Sequence, residues 1–68
     1  MKLTVSLSRT QKAQEVIHDN MVLHRTLGHI STNVWELHSS TASPVDIAEE
    51  IMYAFEAAGI PRDEYSIE

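Results

Sequence analysis

The lack of cysteine is the strongest constraint on how this chain can fold, because the chain has only 68 residues. A domain of that size buries about 60% of the surface that its unfolded chain exposes, so its stability margin is small. Small domains often add disulfides, a structural metal or a partner subunit. Disulfides and cysteine-ligated zinc both need thiols. The chain therefore depends on a well-packed apolar core, on self-association, or on a metal held by histidine and carboxylate side chains.

One segment carries clear signals for both ends of a helix. Ser43 suits the N-cap position, and Pro44 suits the first helical residue because the N–H that it lacks would have no partner there. Gly59 is typical of the residue that ends a helix, and Pro61 prevents continuation. Ile60 suits the apolar contact that accompanies such an end. We therefore expect a helix between Ser43 and Gly59.

The N-terminal half predicts a strand followed by a long helix. Residues 2–8 alternate apolar and polar side chains, which is typical of a half-buried strand. Ser8 and Gln11 have the spacing of a capping box, and apolar residues then recur within one helical arc of about 160°. Gly28 is the expected C-cap of this helix. Residues 18–20 have low helix propensity and are the weak point of the prediction.

Two further segments complete the predicted fold. Residues 29–38 are rich in β-branched and aromatic residues, which predicts a second strand; residues 39–42 form a polar loop, and the tail alternates Tyr65 and Ile67 with charges, as an edge strand does. The order predicts an α/β or α+β fold with one small two-layer β-α-β-α-(β) domain over residues 1–68. Two helices cover one face of a two- to three-stranded sheet. Parallel strands with right-handed crossovers are favoured, and antiparallel arrangements of the same elements stay open.

The charge is unevenly distributed along the chain. Residues 1–25 carry four basic and two acidic side chains, a net charge of +2, whereas residues 26–68 carry one basic and eight acidic side chains, a net charge of −7. Contacts to phosphate supply much of the affinity of nucleic-acid-binding proteins, so we expect no direct binding to nucleic acid. A protein with a basic surface is the partner that this charge favours.

The sequence argues against several classes of enzyme and against a membrane protein. Two glycines are too few for a Gly-rich phosphate loop, and no nucleophile-elbow motif is present. No apolar run approaches the roughly 20 residues of a transmembrane helix. Residues 1–10 lack the apolar stretch of a secretory signal. We expect a non-enzymatic cytoplasmic protein with no cofactor and no membrane partner.

Three of the four histidines lie between residues 16 and 30. His18 and His24 are six positions apart, so a continuous helix places them on different faces, whereas a helical zinc pair uses a spacing of four. Glu15 and His18 form an ExxH pair, but di-iron bundles need a second such pair on another helix. We therefore expect no metal site and a solvated His18. A metal- or small-ligand-dependent module that uses His18 and His24 is the alternative.

Asn20 and His24 lie four residues apart in the middle of the apolar arc. A buried amide and a buried imidazole must find hydrogen-bond partners or destabilise the fold. We interpret them as a buried polar pair that bonds to each other or to the backbone of the sheet. The alternative is a homodimer contact in which Asn20 fixes the register and His24 responds to pH.

The outer face of the second predicted helix is acidic and carries one tyrosine. Its members are Asp46, Glu49, Glu50, Tyr53 and Glu56. An exposed tyrosine among carboxylates is typical of an interface hot spot beside charges that steer a basic partner. A solvated acidic face with one incidental tyrosine is the alternative. The carboxylates are not desolvated on such a face, so they do not predict an acid–base pair.

Trp35 is the only tryptophan and allows two interpretations. It is either a core residue or part of an exposed association surface.

These features together predict a small acidic protein-binding module, such as an inhibitor, adaptor or accessory subunit, that engages a basic partner surface through the acidic helix face. Small acidic proteins encoded by phages and mobile elements share this profile. The metal- or small-ligand-dependent module and a structural homodimer are the alternatives.

Overall fold

The described part of the chain forms a four-stranded sheet covered by helices. The structure is a computed structural model and describes residues 1–38 and 41–68, so Ser39 and Ser40 of the predicted polar loop lie outside the described residues. The elements in chain order are β1 (Lys2–Val5), α1 (Thr10–Asp19), α2 (Met21–Thr26), β2 (Leu27–Ser31), β3 (Val34–Leu37), α3 (Pro44–Ala58) and β4 (Tyr65–Ile67), with short 3-10 helices at Leu7–Arg9 and Arg62–Glu64.

The strand order in the sheet is β2-β3-β1-β4, and every neighbouring pair is antiparallel. Since β1 and β2 both run antiparallel to β3, they point the same way with β3 between them. In the same way, β3 and β4 flank β1. These are two split β-α-β units, the connectivity of ferredoxin-like domains. The predicted α+β class is confirmed, with four strands instead of two or three, whereas the favoured parallel pairing of neighbouring strands is wrong.

A tight turn explains the error in strand pairing. The predicted strand over residues 29–38 is a hairpin, because the chain turns at Thr32 and Asn33, between β2 and β3. The Val5 N–H donates to the Asn33 carbonyl at 2.9 Å, and the Asn33 side-chain amide donates to the Val5 carbonyl at 3.0 Å. Asparagine is a favoured turn residue because its side chain bonds to nearby backbone. These two bonds hold the turn beside β1, which inserts β3 between β1 and β2.

The core lies between the inner face of the sheet and the three helices. Its buried residues are Leu3, Val5, Ala13, Ile17, Leu23, Leu27, Trp35, Ile47, Ile51, Phe55, Ile60 and Tyr65. Trp35 is only 2% exposed, so it is a core residue and the association-surface interpretation is wrong. The Phe55 and Tyr65 rings meet edge to face with centroids 4.9 Å apart, which joins α3 to β4.

The first strand is shorter than its alternating pattern predicts. β1 ends at Val5, and Leu7 lies in a 3-10 helix with 73% of its surface exposed. The expected capping box at Ser8 does not form. The Thr10 hydroxyl donates instead to the Ser6 carbonyl at 3.2 Å. The chain turns immediately after Val5, so the third apolar residue of the pattern does not reach the inner face of the sheet.

The long N-terminal helix of the prediction is broken at Asn20. This residue has an extended backbone (φ −98°, ψ 112°), and its side-chain oxygen accepts the Leu23 N–H at 3.0 Å, so it is the N-cap of α2. Asparagine competes with the helical backbone for hydrogen bonds and favours caps over helix interiors. α2 ends at Thr26, and Gly28 lies within β2 instead of capping a helix.

The second predicted helix is confirmed at both ends. Ser43 occupies the N-cap position of α3 without a side-chain hydrogen bond, and Pro44 is the first helical residue. Gly59 adopts a left-handed conformation with φ 82°. The N–H groups of Gly59 and Ile60 donate to the last turn of the helix at 3.1 and 2.9 Å, and Ile60 is buried.

Gly59→Ala should lower the free energy of unfolding by about 1 kcal/mol, because a left-handed backbone is costly for a residue with a Cβ. No atom lies within 4 Å of that Cβ, so the change reports the backbone alone. Urea denaturation measures the effect. Gly59→Asn is the control and should lower the free energy of unfolding by less, because asparagine tolerates this conformation. Equal stability of wild type and Gly59→Ala would contradict the assigned conformation.

Candidate functional site

The break at Asn20 helps to form an open groove between the first two helices and the hairpin. The groove has a volume of about 500 Å³. We call it the histidine groove and define it by its lining residues Gln14, Glu15, Ile17, His18, Asp19, His24, Leu27, His29 and Trp35. Three of the four histidines of the chain therefore line one surface.

The helix break places His18 beside His24. The centroids of the two imidazoles are 5.2 Å apart, and the rings meet edge to face at 71°. In a continuous helix, two residues six positions apart lie about 120° apart around the axis and about 9 Å apart along it. The prediction that His18 is solvated is confirmed, since its side chain is 77% exposed. The contact between the two histidines is not predicted by the sequence pattern, which indicates one unbroken helix through both residues.

His29 joins the groove from β2. Its imidazole stacks on the indole of Trp35, its cross-strand neighbour, with centroids 4.5 Å apart and an interplanar angle of 8°. Its Nε2 lies 3.1 Å from the Thr32 carbonyl. A carbonyl only accepts, so Nε2 carries the proton, and in the neutral ring Nδ1 is an acceptor.

The neighbouring Asp19 determines which nitrogen of the His18 ring donates a hydrogen bond. Its Nδ1 lies 3.3 Å from Oδ1 of Asp19, so Nδ1 donates and Nε2 is the acceptor of the neutral ring. Within residues 1–38 and 41–68, no group of three or more histidine, cysteine, aspartate or glutamate side chains is arranged to hold a metal ion.

Asn20 and His24 do not form the predicted buried pair. His24 is exposed and contacts His18, whereas Asn20 is half-buried. The side-chain amide of Asn20 donates to Oε2 of Glu50 at 2.9 Å. The buried-pair interpretation is wrong because the helix breaks at Asn20, so the two side chains do not share one face of a continuous helix. The sequence gives no signal for the bond to Glu50, which lies 30 residues away.

The second surface is the outer face of α3, which we call the acidic face. It comprises Asp46, Glu49, Tyr53 and Glu56, all exposed, with the half-buried Glu50 at its edge. Tyr53 is 68% exposed. No lysine or arginine among the described residues forms an ion pair with these carboxylates. Four of the five predicted side chains are therefore free to meet a partner, and Glu50 also has a structural bond.

A second groove lies at the C-terminal end of the acidic face. It has a volume of about 530 Å³ and is lined by Met52, Glu56, Gly59, Ile60, Pro61, Arg62 and Tyr65. We call it the α3 groove. The Arg62 guanidinium lies 5.2 Å from the centroid of the Tyr65 ring. Glu56 belongs to both surfaces, so the acidic face and the α3 groove are continuous.

Comparison of the chain with protein-family models, with curated proteins and with solved structures finds no match. Among the helices of residues 1–38 and 41–68, none combines the length and the apolar character needed to cross a bilayer.

Asn20→Ala should lower the free energy of unfolding by about 1–3 kcal/mol, because it removes both the α2 cap and the bond to Glu50. A double-mutant cycle with Glu50→Ala, measured by urea denaturation, should give a coupling energy of about 1 kcal/mol. The matched control is the cycle between Asn20→Ala and Glu49→Ala, because Glu49 is the exposed neighbour of Glu50 and should show no coupling. Equal coupling in the two cycles would contradict the bond between Asn20 and Glu50.

Proposed function

We propose that this protein is a small, acidic, non-enzymatic binding module that engages a basic surface of a partner protein through the acidic face of α3. An inhibitor, an adaptor and an accessory subunit all act in this way. The observation that carries the proposal is the position of Tyr53, which is 68% exposed among carboxylates that have no cationic partner in the described residues.

The exposed tyrosine supplies the contact that favours a stable complex. A tyrosine side chain offers a large amphipathic surface and loses little conformational freedom when it is buried, and tyrosine is enriched among interface hot spots. Val45 and Met52 add further apolar surface to α3, since they are 66% and 38% exposed. Charged side chains alone would give steering without much affinity, so the apolar groups are needed for a lasting contact.

The carboxylates without a cationic partner orient a basic partner protein and raise the rate at which it associates. The segment from residue 26 to residue 68 has a net charge of −7. Charge of one sign on one surface attracts an oppositely charged partner and raises its association rate, and salt screens the effect. The same charge disfavours direct binding to nucleic acid.

α3 is suited to present this surface without rearrangement. Its inner face is anchored by Ile47, Ile51 and Phe55, which are all buried. A contact surface on an anchored helix has little conformational entropy to lose on binding. The α3 groove at the end of the acidic face offers space for an apolar side chain of the partner. We also propose that the protein acts in the cytoplasm, since a chain without cysteine fits a reducing compartment.

Capture of a partner from the lysate of the source cell should depend on Tyr53 and on Glu49. The baits are wild type, Tyr53→Ala, Glu49→Lys and the control Glu36→Lys, and captured proteins are quantified by mass spectrometry at about 0.05 M and about 0.3 M salt. Glu36 is exposed on β3, outside the acidic face, so Glu36→Lys makes the same change of charge elsewhere. Glu50 is avoided because it bonds to Asn20.

We expect wild type and Glu36→Lys to capture the same basic protein. Tyr53→Ala and Glu49→Lys should capture about tenfold less of it, and the higher salt should reduce the amount that is captured. Circular dichroism should show that all four baits are folded. A partner that all four baits capture equally would contradict a role for the acidic face.

A further inference from the structure

We infer that the histidine groove is a second binding site, one that receives the guanidinium of an arginine side chain presented by a peptide or protein. This inference does not depend on the acidic face of α3. It rests on the charge, the hydrogen-bond polarity and the aromatic surface of the groove.

The charge of the groove selects a cation when its imidazoles are neutral. Glu15 and Asp19 contribute two negative charges, and no lysine or arginine is among the described residues that line the groove. The nearest basic residue in sequence, Arg25, lines a different depression together with Thr41 and Ala42. An anionic ligand would therefore meet two carboxylates without a compensating cation.

The hydrogen-bond polarity of the groove selects a ligand rich in donors. The protonated nitrogen of His29 is used by the Thr32 carbonyl, and that of His18 by Asp19. The second nitrogen of each neutral ring accepts, and so do the carboxylates of Glu15 and Asp19. A guanidinium has five N–H donors and no acceptor, so its groups complement these side chains.

The aromatic surface selects a planar cation over a compact one. His29 is exposed and lies flat on the buried indole of Trp35, which holds the imidazole as a platform. Ile17 and Leu27 add apolar surface beside it. A guanidinium stacks on aromatic faces and is weakly hydrated, whereas the lysine ammonium is a strongly hydrated point charge.

The size of the groove favours an arginine within a polypeptide. A volume of about 500 Å³ is larger than a guanidinium needs and is typical of sites for ligands of several functional groups. The aliphatic stem of the side chain and its flanking backbone can occupy the remaining space.

The probe is the blocked tripeptide acetyl-Gly-Arg-Gly-amide, titrated into the full chain and followed by nuclear magnetic resonance. Trp35 is the only tryptophan, so its indole N–H gives one unambiguous signal from the base of the groove. We expect saturable shifts of the Trp35 indole and of the His18, His24 and His29 imidazoles, with Kd on the order of 1 mM. The matching tripeptides with lysine and with the uncharged isostere citrulline should each bind about tenfold more weakly.

Removal of the two carboxylates should weaken binding of the arginine tripeptide by about tenfold. The variant is Glu15→Gln with Asp19→Asn, and both side chains are exposed, so the fold should be retained. The control is Glu36→Gln with Asp63→Asn, which makes the same change of charge outside the groove and should bind normally. Tyr53→Ala should also bind normally, so the outcome is independent of the acidic face.

Three results would overturn the inference. The first is the absence of saturable shifts, and the second is equal binding of the arginine and citrulline tripeptides or of wild type and the carboxylate variant. The third is tighter binding of free L-arginine than of the tripeptide, which would assign the groove to a small metabolite.

Discussion

The hydrogen bond from the Leu23 N–H to the side chain of Asn20 is the interaction on which the arrangement of the histidine groove depends. It ends one helix and begins another within a single residue, and α2 then leads directly into β2. The amide of the same side chain bonds to Glu50 on α3. Asn20 therefore interrupts the predicted N-terminal helix, caps α2 and connects α2 to α3 through the bond to Glu50.

Each of the two candidate surfaces includes a residue adjacent to Asn20, either in sequence or through a hydrogen bond. Asp19 precedes Asn20 and lines the histidine groove, whereas Glu50, which Asn20 binds, marks the edge of the acidic face. Both surfaces carry carboxylates without lysine or arginine partners among residues 1–38 and 41–68. Both also carry an aromatic group, Tyr53 on one and the stacked His29 on the other. A partner with basic and planar side chains matches the chemistry of each.

Local signals in the sequence were sufficient where an element is fixed by its own residues. The ends of α3 follow from Pro44 and Gly59, and its acidic face follows from helical periodicity once those ends are known. The tail forms an edge strand because its alternation places Tyr65 in the core. In α3 and in the C-terminal strand, the contacts that determine the structure lie within the element itself or on one of its faces.

The sequence does not predict the structure at two short polar segments, where the chain can either continue the same element or turn. Thr32 and Asn33 are compatible with a strand, but the bonds between Asn33 and Val5 make them a turn, and these depend on a residue 28 positions away. The low helix propensity of residues 18–20 predicts a weak point in the helix, yet no local signal shows which way the chain continues after a break. The convergence of His18, His24 and His29 depends on both of these events, so the histidine groove is a property of the tertiary structure.

The most direct test of the break at Asn20 is a nuclear Overhauser measurement on the imidazole protons of uniformly labelled protein. The structure predicts cross-peaks between the rings of His18 and His24, whose centroids are 5.2 Å apart. It also predicts an interruption, at Asn20, of the sequential amide contacts that a helix gives. Helical contacts that continue unbroken through Asn20, without any cross-peak between the two imidazoles, would show one long helix and would contradict the histidine groove.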